Sequence, residues 1–258
     1  MADENNAPPP LRLLVVIPAY NEAASIAAVL DELRRDGPHA DVLVVDDGSA
    51  DSTAAIAAAR GAAVLRLPFN LGIGAALQTG YQYALANGYA AAVQFDADGQ
   101  HRADQIAALI EPLRRGRADH VIGSRTLAGA YRFPLPRLLG ACLIRAITLL
   151  VTGRRISDPT SGFRAYGPRA LAFFARQYPQ AYLDSAEITV WALRQGMRVE
   201  EVPAEMRPAA RSSIGSLMGV VHALRVCLAL LIDRMEKPFA EPPAEPPAGG
   251  PPRTEKQT

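Results

Sequence analysis

Cysteine is scarce in this chain, which has only Cys142 and Cys227, each inside an apolar, helix-like stretch. That excludes a cysteine-built metal centre and a disulfide framework, and it fits buried thiols in a reducing compartment. Surplus charge is lacking too. The sequence has 27 basic and 26 acidic residues and a formal net charge of +1. No overall field therefore draws the protein onto nucleic acid or an anionic bilayer, and nucleic acid is not an expected partner. Any basic site must be local. Long apolar runs are also missing. The best candidates, 138–152 and 217–232, are interrupted by Arg145 and by His222 and Arg225. Neither reaches the roughly 18–20 uninterrupted apolar residues of a membrane span. Residues 1–10 carry acids, asparagines and prolines where a secretory leader needs a basic start and an apolar run. A disordered N-terminus and a cytoplasmic location are expected.

What the sequence does contain is a repeating alternation. Leu11 to Ile17 is a branched apolar run followed by helical spacing over 25–35, and Asp41 to Val45 is a second such run, with a helix over 52–60. Ala63 to Leu67, a helix over 74–87, Ala90 to Phe95, a helix over 103–114 and a strand over 119–122 continue the series. Short strands alternating with helices of about 10–15 residues predict an α/β fold with a mostly parallel central sheet flanked by helices. A helix near 135–152 and a loop over 153–167 follow, in a half assigned to the second substrate. The expected organisation is one domain over 11–213, an amphipathic helix over 214–236 and a disordered proline-rich tail over 237–258.

Ligands of such sheets bind at the carboxyl ends of strands. Three polar clusters fall there: Pro18 to Glu22 after strand one, Asp46-Asp47-Gly48-Ser49 after strand two, and Asp96-Ala97-Asp98-Gly99-Gln100 after strand four. If the strand's period of two persists, Asp96, Asp98 and Gln100 offer oxygen to one cation, Mg2+ or Mn2+, whose shell phosphate oxygens complete. The same acids also suit capping of a helix beginning near Arg102, and Asp46, Asp47 and Asp51 suit turns and caps. The glycines of Asn70 to Leu77 do not make a dinucleotide fingerprint, because the third glycine is absent and the run follows strand three.

Taken in order, Val16 to Glu22, Val44 to Ser49, Asn70-Leu71-Gly72, Phe95 to His101, Gly123-Ser124-Arg125 and Asp158 to Arg164 resemble the family 2 inverting glycosyltransferases of the GT-A fold. The resemblance covers about residues 11–215 and is to the branch holding dolichyl-phosphate mannose synthase and bacterial polyprenyl-phosphate glycosyltransferases. It implies a metal-dependent, inverting transfer from a nucleoside diphosphate sugar, a UDP- or GDP-sugar, to a polyprenyl phosphate. Pro18, Tyr20, Glu22 and Asp47 would surround the nucleoside, and Asp96, Asp98 and Gln100 would hold metal and diphosphate. Catalytic positions between donor and acceptor would be Asp158, Arg125 and Arg164. Acceptor phosphate would meet Arg125, Ser161, Arg164, Arg207 and Arg211, although the Arg-x-x-Gly-x-Ser pattern often found in the family reads here Met206-Arg207-Pro208-Ala209-Ala210-Arg211-Ser212-Ser213.

The donor motifs are shared across the family, so transfer to a hydroxyl of a glycan or small acceptor is the second reading, and a non-catalytic sugar-nucleotide-binding protein the third. Many relatives of the branch continue into membrane-spanning helices. Here Leu217, Val220, Val221, Leu224, Leu228 and Leu231 recur at helical spacing, with Arg225 and Arg234 able to snorkel. Peripheral attachment to the inner face of the cell membrane is expected, with burial of the same helix against the domain as the alternative. Tyr131, Phe133, Leu135, Leu138 and Leu139 form a second lipid-facing candidate. A membrane partner protein or self-association is compatible with either.

Overall fold

A computed structural model describes residues 11–129, 135–179, 185–207 and 224–232. The branched runs become strands because their side chains are buried on both faces, as in β1 (Leu13–Ala19), where all seven residues are buried. With β2 (Asp41–Asp46), β3 (Ala63–Arg66) and β4 (Ala91–Gln94) they form parallel pairs β1–β2, β2–β3 and β1–β4. Helices α1 (Ile26–Asp36), α2 (Thr53–Ala59), α3 (Ile73–Ala86) and α4 (Ile106–Arg114) alternate with them.

The second half contributes β5 (His120–Ser124), α5 (Arg125–Ala128), α6 (Leu135–Thr152), β6 (Arg164–Tyr166), α7 (Pro168–Arg176), α8 (Ser185–Arg194) and β7 (Val199–Pro203). The sheet has seven strands in the order β3-β2-β1-β4-β6-β5-β7. Among the described residues only β6 runs against its neighbours, pairing antiparallel with both β4 and β5. The expectation of a loop across 153–167 thus misses its last turn into the sheet. Three residues that begin with a buried arginine show no period of two.

One sheet face packs Val15, Ile17, Val93 and Phe95 against α1 and α4. The other packs Leu14, Val16 and Tyr166 against α3 and α7, with Tyr81 and Phe174 between. Helix α3 lies close to β1: a Cβ on Gly80 would stand 2.3 Å from Val16 Cγ1. A third, smaller core joins Ile144 of α6 and Ala186 and Val190 of α8 to Val226, Cys227 and Leu230 of a helix over 224–232, here α9. Trp191 packs at the edge of the second core, as a structural residue would.

Residues 1–10 and 233–258, and hence the two expected disordered termini, lie outside the described residues, as do Arg211, Tyr131, Phe133 and the 214–223 part of the amphipathic helix. Among the described residues, no helix is long and apolar enough to cross a membrane.

Candidate active site

Register brings the polar clusters together. Ala19 lies opposite Asp46, and Val16 opposite Gln94, so the chain leaves β1, β2 and β4 at one edge. Pro18, Tyr20, Glu22, Asp47, Asp96 and Asp98 all line one pocket of about 350 Å³ there. Its walls are stitched from loop to loop. Asn21, at φ 55°, donates its N–H to Ser49 Oγ (2.9 Å) and accepts from Ala50 N–H through Oδ1 (2.9 Å), while Glu22 N–H reaches Thr53 Oγ1 (2.8 Å). Asp47 accepts from Leu71 N–H and Gly72 N–H, each at 2.8 Å, and so sets the loop that opens α3. Gly48, at φ +71°, leaves room for that loop, since a Cβ there would sit 2.6 Å from the Phe69 carbonyl carbon.

Asp46 and Asp51 do turn work. Asp46 is fully buried, accepts from Ser49 N–H at 3.2 Å and meets Arg66 Nε at 3.2 Å, whereas Asp51 accepts from Thr53 N–H and Ala23 N–H. Asp96 and Asp98 are different. The capping alternative fails for them, because Ala103 N–H at the start of the next helical turn goes to Glu32 Oε1 (3.1 Å). Asp96 Oδ1 is buried and has no protein partner, an open acceptor that a cation or a ligand hydroxyl would fill. Asp98 is exposed and accepts from Gln100 N–H (3.0 Å) and from Gln100 Nε2. Gln100 thus presents a donor to Asp98, and as a cation ligand it would have to turn its Oε1 inward instead. Among the described residues no three His, Cys, Asp or Glu side chains cluster as a metal cage, so a cation here would depend on diphosphate oxygens.

His101 holds Asp96 from behind. Asp96 N–H donates to its Nδ1 (3.0 Å), which places the ring proton on Nε2, 3.4 Å from Asp96 Oδ2. Burial lowers the basicity of His101 against the pull of Asp96 and Asp98, consistent with a neutral ring set between Phe95 and Phe163.

The segment after α6 abuts these acids, as a Cβ on Gly162 would stand 3.1 Å from Asp96 Oδ2. Next to it lies a buried ion pair. Arg125 donates from Nε and Nη2 to the two oxygens of Asp158 (2.7 and 2.8 Å), its backbone N–H adds a third bond (3.0 Å), and Nη2 also reaches Thr160 Oγ1 (2.9 Å). Burial raises the Asp158 carboxyl, but the hydrogen bonds and charge of Arg125 overcome it, so the net shift is downward. Ser161 Oγ donates to Gly123 O (2.6 Å) and anchors the segment to β5.

Two arginines are placed otherwise than the sequence suggested. Arg164 is fully buried, and its donors go to Ser161 O, Pro159 O, His120 Nε2 and Thr189 Oγ1 at 2.6–3.0 Å. It holds the 159–161 backbone through the Ser161 and Pro159 carbonyls. Arg207 pairs with Glu32 through Nη1 and Nη2 (2.8 and 3.0 Å) and donates from Nη1 to His101 O (3.1 Å), clasping the acid loop instead of presenting a free phosphate site.

Sequence reading missed Glu201, which accepts from Ser157 N–H, Ser157 Oγ–H and Asp158 N–H (2.7, 2.8 and 2.9 Å). A signal existed: adjacent glutamates in a strand face opposite ways, and Glu200 takes the surface partner Arg117.

A family model described as "Glycosyl transferase family 2" matches residues 14–174. An undecaprenyl-phosphate mannosyltransferase from Micrococcus luteus is 36% identical, covering 75% of this chain and 82% of its own. A polyprenol monophosphomannose synthase from Mycolicibacterium smegmatis is 32% identical, with 76% and 77% covered. Among solved structures, a glucosyl-3-phosphoglycerate synthase from Mycobacterium tuberculosis with Mn2+ and UDP-glucose superposes with a TM-score of 0.68, over 90% of this chain and 81% of its own, at 22% identity. That likeness establishes the fold. The chain belongs to glycosyltransferase family 2, with the GT-A fold, in the branch of the polyprenyl-phosphate sugar transferases.

Proposed function

We propose that the protein transfers one sugar, with inversion, from a UDP- or GDP-sugar to a polyprenyl monophosphate at a membrane surface. The donor would lie in the pocket of Pro18, Tyr20, Glu22 and Asp47, with its diphosphate towards Asp96 and Asp98. These two acids, with Gln100 turned, would hold Mg2+ or Mn2+, which neutralises charge on the departing diphosphate. Arg125 would face the acceptor phosphate, in a segment that Asp158, Ser161 and Arg164 hold in place.

The observation that carries the acceptor is the state of Asp158. Both of its oxygens are engaged by Arg125 and its carboxyl is held below the ordinary range, so it is a poor proton acceptor. A phosphate monoester, with a second pKa of about 6, is already largely ionised near neutrality and needs no strong base. A hydroxyl acceptor would need one. Incubating the protein with radiolabelled UDP- and GDP-sugars and Mn2+ should label polyprenyl phosphate. Labelling only of a hydroxyl acceptor would overturn the lipid-phosphate reading while leaving the glycosyltransferase intact.

A membrane-borne acceptor requires a surface to meet it. The outward side of α6 carries Leu138, Leu139, Leu143, Leu149 and Leu150, and that of α9 carries Leu224, Leu228, Leu231 and Ile232, all at least 38% exposed. The opposite side of α9, Val226, Cys227 and Leu230, is buried against α6 and α8, so burial of one side leaves the other available for the membrane contact proposed here. Neither described helix contains an acidic residue, and Arg154, Arg155 and Arg225 are exposed, which suits an interfacial position on anionic lipid. Leu224→Glu with Leu228→Glu, at 57% and 59% exposure, spares the buried side. The double variant should stay folded yet no longer float with anionic liposomes. Flotation equal to wild type would remove α9 from the membrane contact.

A further inference from the structure

Glu201 lies on the edge strand β7, opposite Ile122 of β5. Its hydrogen bonds fix proton positions along a chain of four groups. Ser157 Oγ–H donates to Glu201 Oε1 (2.8 Å), so the 2.7 Å contact between Ser124 Oγ and Ser157 Oγ must have Ser124 as donor. Ser124 Oγ in turn accepts from Leu127 N–H (3.2 Å) and caps α5, whose first residue is Arg125. Glu201 Oε2 takes Ser157 N–H, and Oε1 takes Asp158 N–H as well. One carboxylate therefore gathers the backbone that presents Asp158 and, through two hydroxyls, the turn that presents Arg125. No salt bridge of Glu201 occurs among the described residues, so its acceptor capacity is directed to this segment.

We propose that Glu201 is a positioning residue of the transfer reaction. It holds the Ser157–Asp158 peptide and the start of α5 in the one arrangement in which Asp158 meets Arg125 with both oxygens, and so aims Arg125 at the acceptor. This rests on the reading above that Arg125 faces the acceptor. The donor pocket is outside the chain of bonds, since none of its lining residues belongs to it. A carboxylate is required, because three donors converge on two oxygens. An amide at 201 would offer one acceptor oxygen and set an N–H2 against a backbone N–H.

The test uses Glu201→Gln and Ser157→Ala in the full chain, with donor and acceptor varied separately and nucleoside diphosphate affinity read by calorimetry. Misplacement of a substrate-facing group by about 1 Å costs on the order of 10²-fold. Glu201→Gln should accordingly lower kcat/KM for the acceptor about 10- to 100-fold while the nucleotide Kd stays within about twofold. Ser157→Ala, which keeps both backbone bonds to Glu201, should move the same constants in the same direction by less. A role confined to anchoring the edge strand would lower the thermal midpoint and leave the acceptor constants of the folded fraction unchanged, and that result overturns the proposal. Should Glu201→Gln fail to fold, Ser157→Ala decides alone, with an unchanged acceptor kcat/KM counting against it. If wild type uses a hydroxyl acceptor instead of polyprenyl phosphate, the acceptor reading falls. The same variants are then measured on that acceptor, and Glu201 is dismissed only if they match wild type there.

Discussion

Asp98→Ala is expected to lower sugar transfer by about 10²–10³-fold or more, the loss that follows from several kcal/mol of transition-state charge stabilisation at about 1.4 kcal/mol per tenfold. The fold should hardly notice. Asp98 is exposed and, among the described residues, bonds only within its own turn, to Gln100, so stability should stay within about 0.5 kcal/mol of wild type. Asp96→Ala should show the same loss together with a lower thermal midpoint, because Asp96 is partly buried and its carboxylate meets His101 in the packed layer of Phe95 and Phe163. Calorimetry of nucleoside diphosphate with and without Mn2+ separates the two effects. If wild type binds the nucleotide equally well in EDTA, these acids do not carry a metal and the Asp98 prediction loses its basis.

Much of this arrangement is legible in the sequence, for a physical reason. In the first half β1, β2 and β4 are largely buried apolar runs, with β3 a partly exposed one, and the loops after β1, β2 and β4 carry their own polar residues, so local pattern and tertiary position agree. Pro18, Tyr20, Glu22, Asp47, Asp96 and Asp98 could be grouped because strand ends in a parallel sheet converge by construction. Where pattern and position separate, reading fails. Strand β6 is three residues long and begins with Arg164, whose buried guanidinium is hydrogen-bonded by carbonyls and His120 rather than by an acid nearby in sequence.

Long-range partners are invisible for the same reason. The match of Arg207 with Glu32 spans 175 positions, and that of Glu201 with Ser157 spans 44. An arginine after the last strand looks like a phosphate ligand until its partner on α1 is known. Amphipathicity also misleads at α9, whose apolar residues cover two sides. A single stripe cannot distinguish a core helix from an interfacial one, and this helix has one apolar side buried and another exposed.

Asp158→Asn distinguishes a positioning carboxylate from a general base. Asp158 is 1% exposed and Arg125 7%, so removing the negative charge leaves a buried guanidinium without its counter-ion, a loss of about 3–5 kcal/mol. The variant should therefore melt earlier. The wild-type pair should also be acid-sensitive in a defined direction. A carboxyl depressed in the folded state contributes stability that is complete above its unfolded value, ordinarily 3.8, and that is lost as pH falls through the folded value. Its protonation thus lies below the range in which transfer is measured and cannot supply an acidic limb near neutrality. On the proposed lipid-phosphate reading, that limb belongs to the substrate phosphate, whose second pKa is about 6. Asp158→Asn, assayed below its own melting temperature, should retain measurable transfer to polyprenyl phosphate with the acidic limb unmoved. A general base would behave otherwise: the acidic limb would vanish, because the group that titrates would be gone, whereas a loss of rate alone also follows from misplacing Arg125. Disappearance of the limb in this variant would assign proton transfer to Asp158 and favour a hydroxyl acceptor.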